Sequence, residues 1–450
     1  EVAPVGAIGI ATVALPGNGV VVGGIDRSGD AYSAGSVRLA STDLARTDSG
    51  TAWLNRIQSV LTQGAPGTRM TGFFAAAQRL AADPTSLAAR SAVMEAADGA
   101  AQAFRNTGRA LDAAAADLDA TMTDGARELS ALSEALAKAN DGLGRAQPGS
   151  SAAASMADRR DQILEQMSAV ADVSVKLDEF GRAAVRLGGA GGPVLVNGRD
   201  AASVGFTRNE DGATALFVQS GLEETSFTPT GGALAGAMDG AQRIADARRE
   251  LNTLASDFAG AVNDVMEAGD DLDGAPGTAL FTVGTPASEL SLAFTDGRKF
   301  AAADRLAGPR NAGNLSALQS ARSTAGVENA ATQLVAGVAA SIEARGTVAA
   351  AQGAIREAAI TARDAQASRT VQHLGVAAQD LFHGLDVHAA HGHVLRGLVG
   401  GEHADEALRF AARAGDLGFL VALRRLHQPL GLAARPGNDV VAVGFRLVAG

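Results

Sequence analysis

Few residues in this chain have the type and spacing to do chemistry. His388, His391 and His393, in the run HAAHGH, place imidazoles at i and i+3, where two could converge on one metal ion if the segment were helical. No carboxylate at a fitting spacing completes a motif of the His-Glu-x-x-His kind. The run Gly269-Asp270-Asp271-Leu272-Asp273-Gly274 has the flavour of a calcium loop. Its acids miss the one-three-five spacing with glycine at six and glutamate at twelve, so it reads as an acidic turn after a helix. Gly188 to Gly192 opens no helix and lacks the Lys-Ser/Thr of a phosphate-cradling loop; a flexible connection between strands is expected. There is no Gly-x-Ser-x-Gly elbow and no cysteine, and all seven histidines lie beyond position 372. Acid–base work in the body would therefore rest on carboxylates. The pair Asp158 and Asp161 falls on what reads as a solvated helix face, where charge serves solubility. No catalytic, cofactor-binding or metal-binding residues are expected, no cofactor, and no enzymatic activity.

Bulk properties narrow the partners. The formal net charge is −11, and the only lysines are Lys138, Lys176 and Lys299. No basic stripe could neutralise phosphates, so no nucleic-acid partner is expected. No unbroken run of eighteen apolar residues occurs, so no bilayer-spanning segment is expected. The chain begins with Glu1 and shows no signal-peptide pattern, which suggests a fragment at the N-terminus. Absence of cysteine suits a chain that stays unbridged during export. One Trp and one Tyr among abundant Ala and Gly favour helices packed through small side chains over an aromatic-lined pocket.

The elements that would position any site follow from periodicity. The most informative stretch is Asp158–Gly188, where a helical period gives way to a strand period with almost no linker. Met156, Ile163, Leu164, Met167 and Val170 repeat at helical spacing, and Ser155 with Asp158 fits a capping box that would start the helix. Val173, Val175 and Leu177 then alternate with polar residues as a half-buried strand. Asp178 to Gly181 is the turn into a second strand, Ala183 to Leu187. Upstream, residues 1 to 32 read as short strands or an extended arm. Helices are expected from Ser36 to about Gln63 and from about Thr71 to Ala82. A long helix from about Pro84 to Asn140 would be started by Asp83-Pro84. In it Phe104, Leu111, Leu118, Met122, Leu129, Leu132 and Leu136 form a near-heptad seam. Downstream of the turn, Pro193 to Gly198 reads as a strand, and Phe206 and Leu216-Phe217-Val218 flank a hairpin turn at Asn209–Gly212. After Gly231-Gly232 helix returns through Leu251, Leu254, Phe258, Val262 and Val265. Residues 270 to 314 are loop and short strand. A last helix from about Thr324 to Thr370 would turn Val327, Leu334, Val338, Ile342 and Ile355 inward.

The fold class expected is α+β, a long-helix bundle built from both chain flanks with a small antiparallel β-domain inserted. Residues 1–171 form the first half of the helical domain with the N-terminal arm, 172–230 the β-domain, 231–372 the second helical half, and 373–450 an atypical tail. That tail holds every histidine, no lysine, and acids that balance its arginines. A frame change in a GC-rich gene is the favoured origin over fusion to another small domain, and the tail is frame-shifted or disordered.

Four stretches, in order, carry a family likeness. ASMADRRDQILEQMSAVADVSVKLDEFGRAAVRLGG (154–189) resembles the segment of the flagellar hook-associated protein FlgK family in which a helix with an Arg-Asp-Gln run enters the β-domain. GVVVGGIDRSGDAYSAGSVRLAST (19–42) is similar to the family's early segment. FFAAAQRLAADPTSLAARSAVMEAADGAAQAF (73–104) resembles its helix pair, and 232–281 its returning helix and loop. The likeness spans about 19 to 370. It implies a structural protein joining hook to filament, exported by the flagellar type III apparatus, extracellular, assembled as a ring. It also implies contact with the hook protein and the neighbouring junction protein, and an export chaperone. The family's N-terminal helix would precede Glu1, and its C-terminal amphipathic helix has no counterpart in 373–450. The resemblance thus implies that the chain folds in its middle and fails to complete a junction, so that it would not restore motility to a strain lacking its junction protein. The competing expectation is a flagellin-like or adhesive surface protein displaying its β-domain.

Overall fold

The computed structural model describes residues 8–14, 20–27, 31–208, 214–286 and 288–389. His391, His393, the Asn209–Gly212 turn and the tail from 390 lie outside them. The described residues fall into two compact units, one within 30–363 and the other taking 6–29 and 364 onward. In the latter, β1 (Ile8–Ala14) and β2 (Val20–Arg27) pair antiparallel, with a bulge between Ala11 and Thr12. These are the short strands expected there.

The larger unit opens with α1 (Ala31–Gly64), α2 (Pro66–Leu80), α3 (Leu87–Arg145) and α4 (Ser151–Val170). Two antiparallel sheets follow. The first holds β3 (Val173–Leu177), β4 (Ala183–Leu187), β5 (Val194–Asn197) and β6 (Asp200–Ala201), in that order. The second holds β7 (Ser203–Arg208), β8 (Thr214–Ser220) and β9 (Glu223–Phe227). Helix resumes with α5 (Gly232–Ala268). The short strands β10 (Gly269–Asp270), β11 (Phe281–Thr282), β12 (Ser291–Leu292) and β13 (Ala303–Asp304) lace the segment before α6 (Gly313–Ala325) and α7 (Val327–Ala389). The fold is α+β, with a small antiparallel β-domain inserted between helical flanks.

The heptad seam explains why α3 persists as one rod. Phe104, Leu111, Leu118, Met122, Leu129 and Leu136 are fully buried, and Leu132 is partly so. Phe258 of α5 sits among the rings of Phe73, Phe74, Phe104 and Phe281, edge-on to the first two and stacked on the third. Such aromatic pairs add directional attraction to the area they bury. The inward residues of the sheets, among them Val185, Leu195, Leu216 and Val218, belong to this same apolar core. The β-domain is thus welded to the helices.

Several helix boundaries differ from expectation, α1 and α2 each starting five residues before the expected Ser36 and Thr71. Helix α4 begins four residues earlier than Ser155, with the Ser150 hydroxyl accepting the Ala153 N–H. Ala152 to Ala154 extend it, alanine being the strongest helix former. Helix α3 is capped by Ser86, which accepts the Ala89 N–H, and not by Asp83. Asp83 closes a turn by accepting from the Thr85 N–H and hydroxyl. The last helix divides at Gly326, in the left-handed region, and α7 then runs on to Ala389. It passes the point at which helical periodicity was expected to fade.

Helix α7 also departs in what it buries. Val327 and Leu334 are inward, but Ile355 is 60% exposed. By length and composition the stretch Gly313–Gln366 could cross a membrane, its most apolar window averaging 1.3 in hydropathy. The expectation of no spanning segment rested on unbroken apolar runs, which this stretch lacks. Arginines dock it on the helical body: Arg345 to Asp239 of α5 at 3.2 Å, Arg356 to Ser41 of α1 at 3.0 Å, and Arg363 to Glu165 of α4 at 2.8 Å.

Candidate functional site

The acids of the Asp270–Asp273 run are engaged by protein donors. Asp270 accepts the Leu306 N–H at 2.6 Å, and Asp271 accepts those of Asp273 and Ala275 at 2.9 Å each. Asp273 pairs with Arg298. Their carboxylates thus close the loop on itself, as an acidic turn does. Among the described residues no group of three or more His, Asp or Glu could hold a metal ion. His388 lies in α7. Gly188 to Gly192 forms the β4–β5 connection, in which the Leu187 N–H bonds to the Pro193 carbonyl.

Asp161 is not on a solvated face, which corrects the sequence reading. It is buried beside Arg160, whose Nε and Nη2 donate to its Oδ1 at 2.7 and 2.6 Å. The Arg160 Nη1 donates onward to the Gly181 carbonyl in the β3–β4 turn. A buried charge is tolerated only when paired and fully hydrogen-bonded, and here the pairing reaches from α4 into the sheet.

Further polar pins join the same parts. Asn140 of α3 is fully buried; its amide donates to the Ala183 and Gly198 carbonyls at 2.9 Å each and accepts the Ala183 N–H at 2.8 Å. The Ser130 hydroxyl accepts the Val204 N–H at 2.8 Å. Replacing Asn140 by alanine strands two carbonyls and one N–H and is expected to cost about 2 kcal/mol, read as a lower urea midpoint. A loss under about 0.5 kcal/mol, the range of ordinary surface substitutions, would refute the pin.

A third tie crosses the helices. Asp239 accepts from Arg46 of α1 at 3.1 and 3.2 Å and from Arg345 of α7 at 3.2 Å. Burial acts to raise its pKa, but the hydrogen bonds and charges of Arg46 and Arg345 win and hold it below the ordinary value. Because the folded value is depressed, this tie is fully present above the unfolded value, about 3.9. It is lost as pH falls through the folded one. Asp239→Asn is expected to cost about 1–2 kcal/mol at neutral pH and to lose less than the parent on acidification to pH 3. Parallel pH profiles of urea stability for the two would refute it.

No nucleophile meets a base in this constellation; it fixes orientations instead. The model of the family described as "Flagellar hook-associated protein FlgK helical domain" matches residues 54–281, just over half of the chain. The chain belongs to this FlgK helical-domain family. Flagellar hook-associated protein 1 of Escherichia coli K12 is 26% identical over 283 residues, covering 60% of this chain and 51% of that protein. Its counterpart in Salmonella typhimurium LT2 is 26% identical over 282 residues, covering 60% and 50%. The chain therefore spans about half the length of the curated relatives it matches. The flagellar hook junction protein FlgK from Burkholderia pseudomallei has a similar fold, with a TM-score of 0.54 at 18% identity over 60% of this chain and 66% of that one. The FlgK match covers α3, α4, the β-domain and α5, and Arg160 and Asn140 join the first three of these. Sequence reading missed both as pins, since a polar residue in a helical period carries no mark of burial.

Proposed function

We propose that this chain is a structural, non-enzymatic component of the bacterial flagellum. It forms part of the junction between hook and filament and works outside the cell after export through the flagellar type III apparatus. The observation that carries this reading is the family match across 54–281, laid over a fold whose buried charges lock a β-domain to a long-helix body. Such a body transmits force through rigid helices and needs no pocket. Its partners are the hook protein, the neighbouring junction protein, further copies of itself in a ring, and a chaperone during export. Residues 31–171 and 231–363 supply the helical body and 172–230 the β-domain inserted between them.

Immunogold labelling tests the reading. The chain would be expressed in a flagellated strain lacking its own hook-associated protein 1. Gold at the distal ends of hooks is the expected result; gold elsewhere, or none on hooks carrying other flagellar proteins, would overturn it.

A further inference from the structure

The β3–β4 turn is built far more firmly than an exposed turn requires. The Asp178 Oδ1 accepts the Phe180 and Arg182 N–H groups at 2.9 Å each, and its Oδ2 takes Arg182 Nε at 2.7 Å. The Gly181 N–H bonds to the Asp178 carbonyl, and Gly181 sits at φ +74°, a conformation few other residues adopt without strain. From beneath, buried Arg160 holds the Gly181 carbonyl. What this scaffold presents is Phe180, 54% exposed, with the Arg182 guanidinium 5.2 Å from its ring centre. Aromatic and arginine side chains on a preorganised support lose little freedom on binding and dominate contact energetics. Beside them exposed Glu179 makes no ion pair among the described residues.

Elsewhere on the same unit α1, α2 and α3 bound a groove of about 570 Å³. Among largely polar lining side chains, buried Val60 and Ala103 and half-buried Ala110 give it an apolar floor, and exposed Arg56 and Arg69 also line it. Arg69 is exposed and has no ion pair or hydrogen-bonded side chain among the described residues; Arg56 meets only exposed Asp117. The groove thus offers an apolar floor to a ring and an unmatched cation to an acid.

We propose that the β3–β4 turn of one copy docks in the α1–α2–α3 groove of a second copy, Phe180 on the floor and Glu179 against Arg69. The contact rests on the assembly reading above. The tip cannot reach its own groove. Arg182 lies beside Gly144 at the far end of α3, whereas the groove centres on Asn106. At 1.5 Å per residue these points are about 57 Å apart along one rigid helix. A tip and a socket at different places on one molecule make a heterologous contact, which propagates into rings or open arrays.

Sedimentation velocity of the full chain over a concentration series tests this. Wild type is expected to self-associate, and Phe180→Ala, Glu179→Arg and Arg69→Glu each to weaken association at least tenfold with unchanged thermal unfolding. The combined Glu179→Arg/Arg69→Glu chain, its charges exchanged, regains most of the affinity. Mixing Phe180→Ala with Arg69→Glu leaves one good tip and one good socket, so pairs form and grow no further. A wild type that stays monomeric, variants that associate as wild type does, or a charge exchange without recovery would overturn the contact. Hook-end labelling retained alongside such a failure would sink this interface and leave the flagellar reading intact. Self-association as expected with no hook-end labelling would do the reverse.

Discussion

Replacing Arg90 by methionine is expected to lower the stability of the helical body by about 3–4 kcal/mol, as two buried carbonyls and one half-buried carbonyl lose their donor. Arg90 is only 1% exposed. Its Nε donates to the Pro84 carbonyl at 2.7 Å, and its Nη1 to the Gly297 and Phe300 carbonyls at 3.1 and 2.6 Å. One guanidinium thereby ties the start of α3 to the returning segment 297–300, where Phe300 and Ala301 enter the core. Methionine keeps the apolar stem but brings no donor, so the Pro84 and Phe300 carbonyls must find water or remain unpaired, while Gly297 keeps only the Phe300 N–H. Lysine keeps the charge as a point on a flexible stem and cannot satisfy carbonyls in the guanidinium's fixed fork; Arg90→Lys should recover less than half of the loss. Urea unfolding gives the size of the effect, and hydrogen exchange at 297–303 its location. A methionine variant within 0.5 kcal/mol of the parent would show that the carbonyls need no such donor.

How much of this was legible in the sequence depends on what each residue signals about burial. Apolar periodicity is a statement about burial, and it placed the α3 seam, the helix-to-strand switch after Val170 and the Ala183–Leu187 strand. Charged residues send the opposite signal. Arg90, Arg160 and Asp161 carry full charges, and the default expectation is a solvated face. Only the three-dimensional supply of carbonyls and counter-charges lets them go inside. Helix starts failed for a related reason. Asp83 and Ser155 are good cap types, but Ser86 and Ser150 lie close by, and local hydrogen bonding decided between equals. Ile355 was expected inward because its spacing continued that of Val327 and Leu334. Beyond Val338, however, α7 is held by Arg345, Arg356 and Arg363 on polar partners, so an apolar residue there need not face the body. The candidate chemistry was legible where it came to turns and loops. The joining role was not, because no motif marks an asparagine or arginine as a pin.

The second large effect concerns the place where the chain leaves the β-domain beside the place where it enters. Asp172, just past α4, accepts the Thr230 N–H at 3.0 Å and hydroxyl at 2.7 Å, so the two crossings run in contact. Gly232 lies at φ +78°, and a Cβ there would come within 2.5 Å of the Ala171 nitrogen and 2.6 Å of its Cα. Both are backbone atoms, and they cannot turn away as a side chain would. Gly232→Ala therefore combines the left-handed penalty of about 1 kcal/mol with a forced separation of the crossings, and a total of about 3–4 kcal/mol is expected. Gly221 provides the internal comparison. It has φ +63° with open space around it, so Gly221→Ala should cost only about 1 kcal/mol. Because the β-domain shares its core with α3, opening the crossing should lower the urea midpoint of the whole unit, not release a separately melting module. If the two variants lost equal stability, the close approach at Ala171 would carry no weight. The seam between helices and β-domain would then rest on their shared apolar core and on polar ties such as those of Arg160, Asn140 and Ser130.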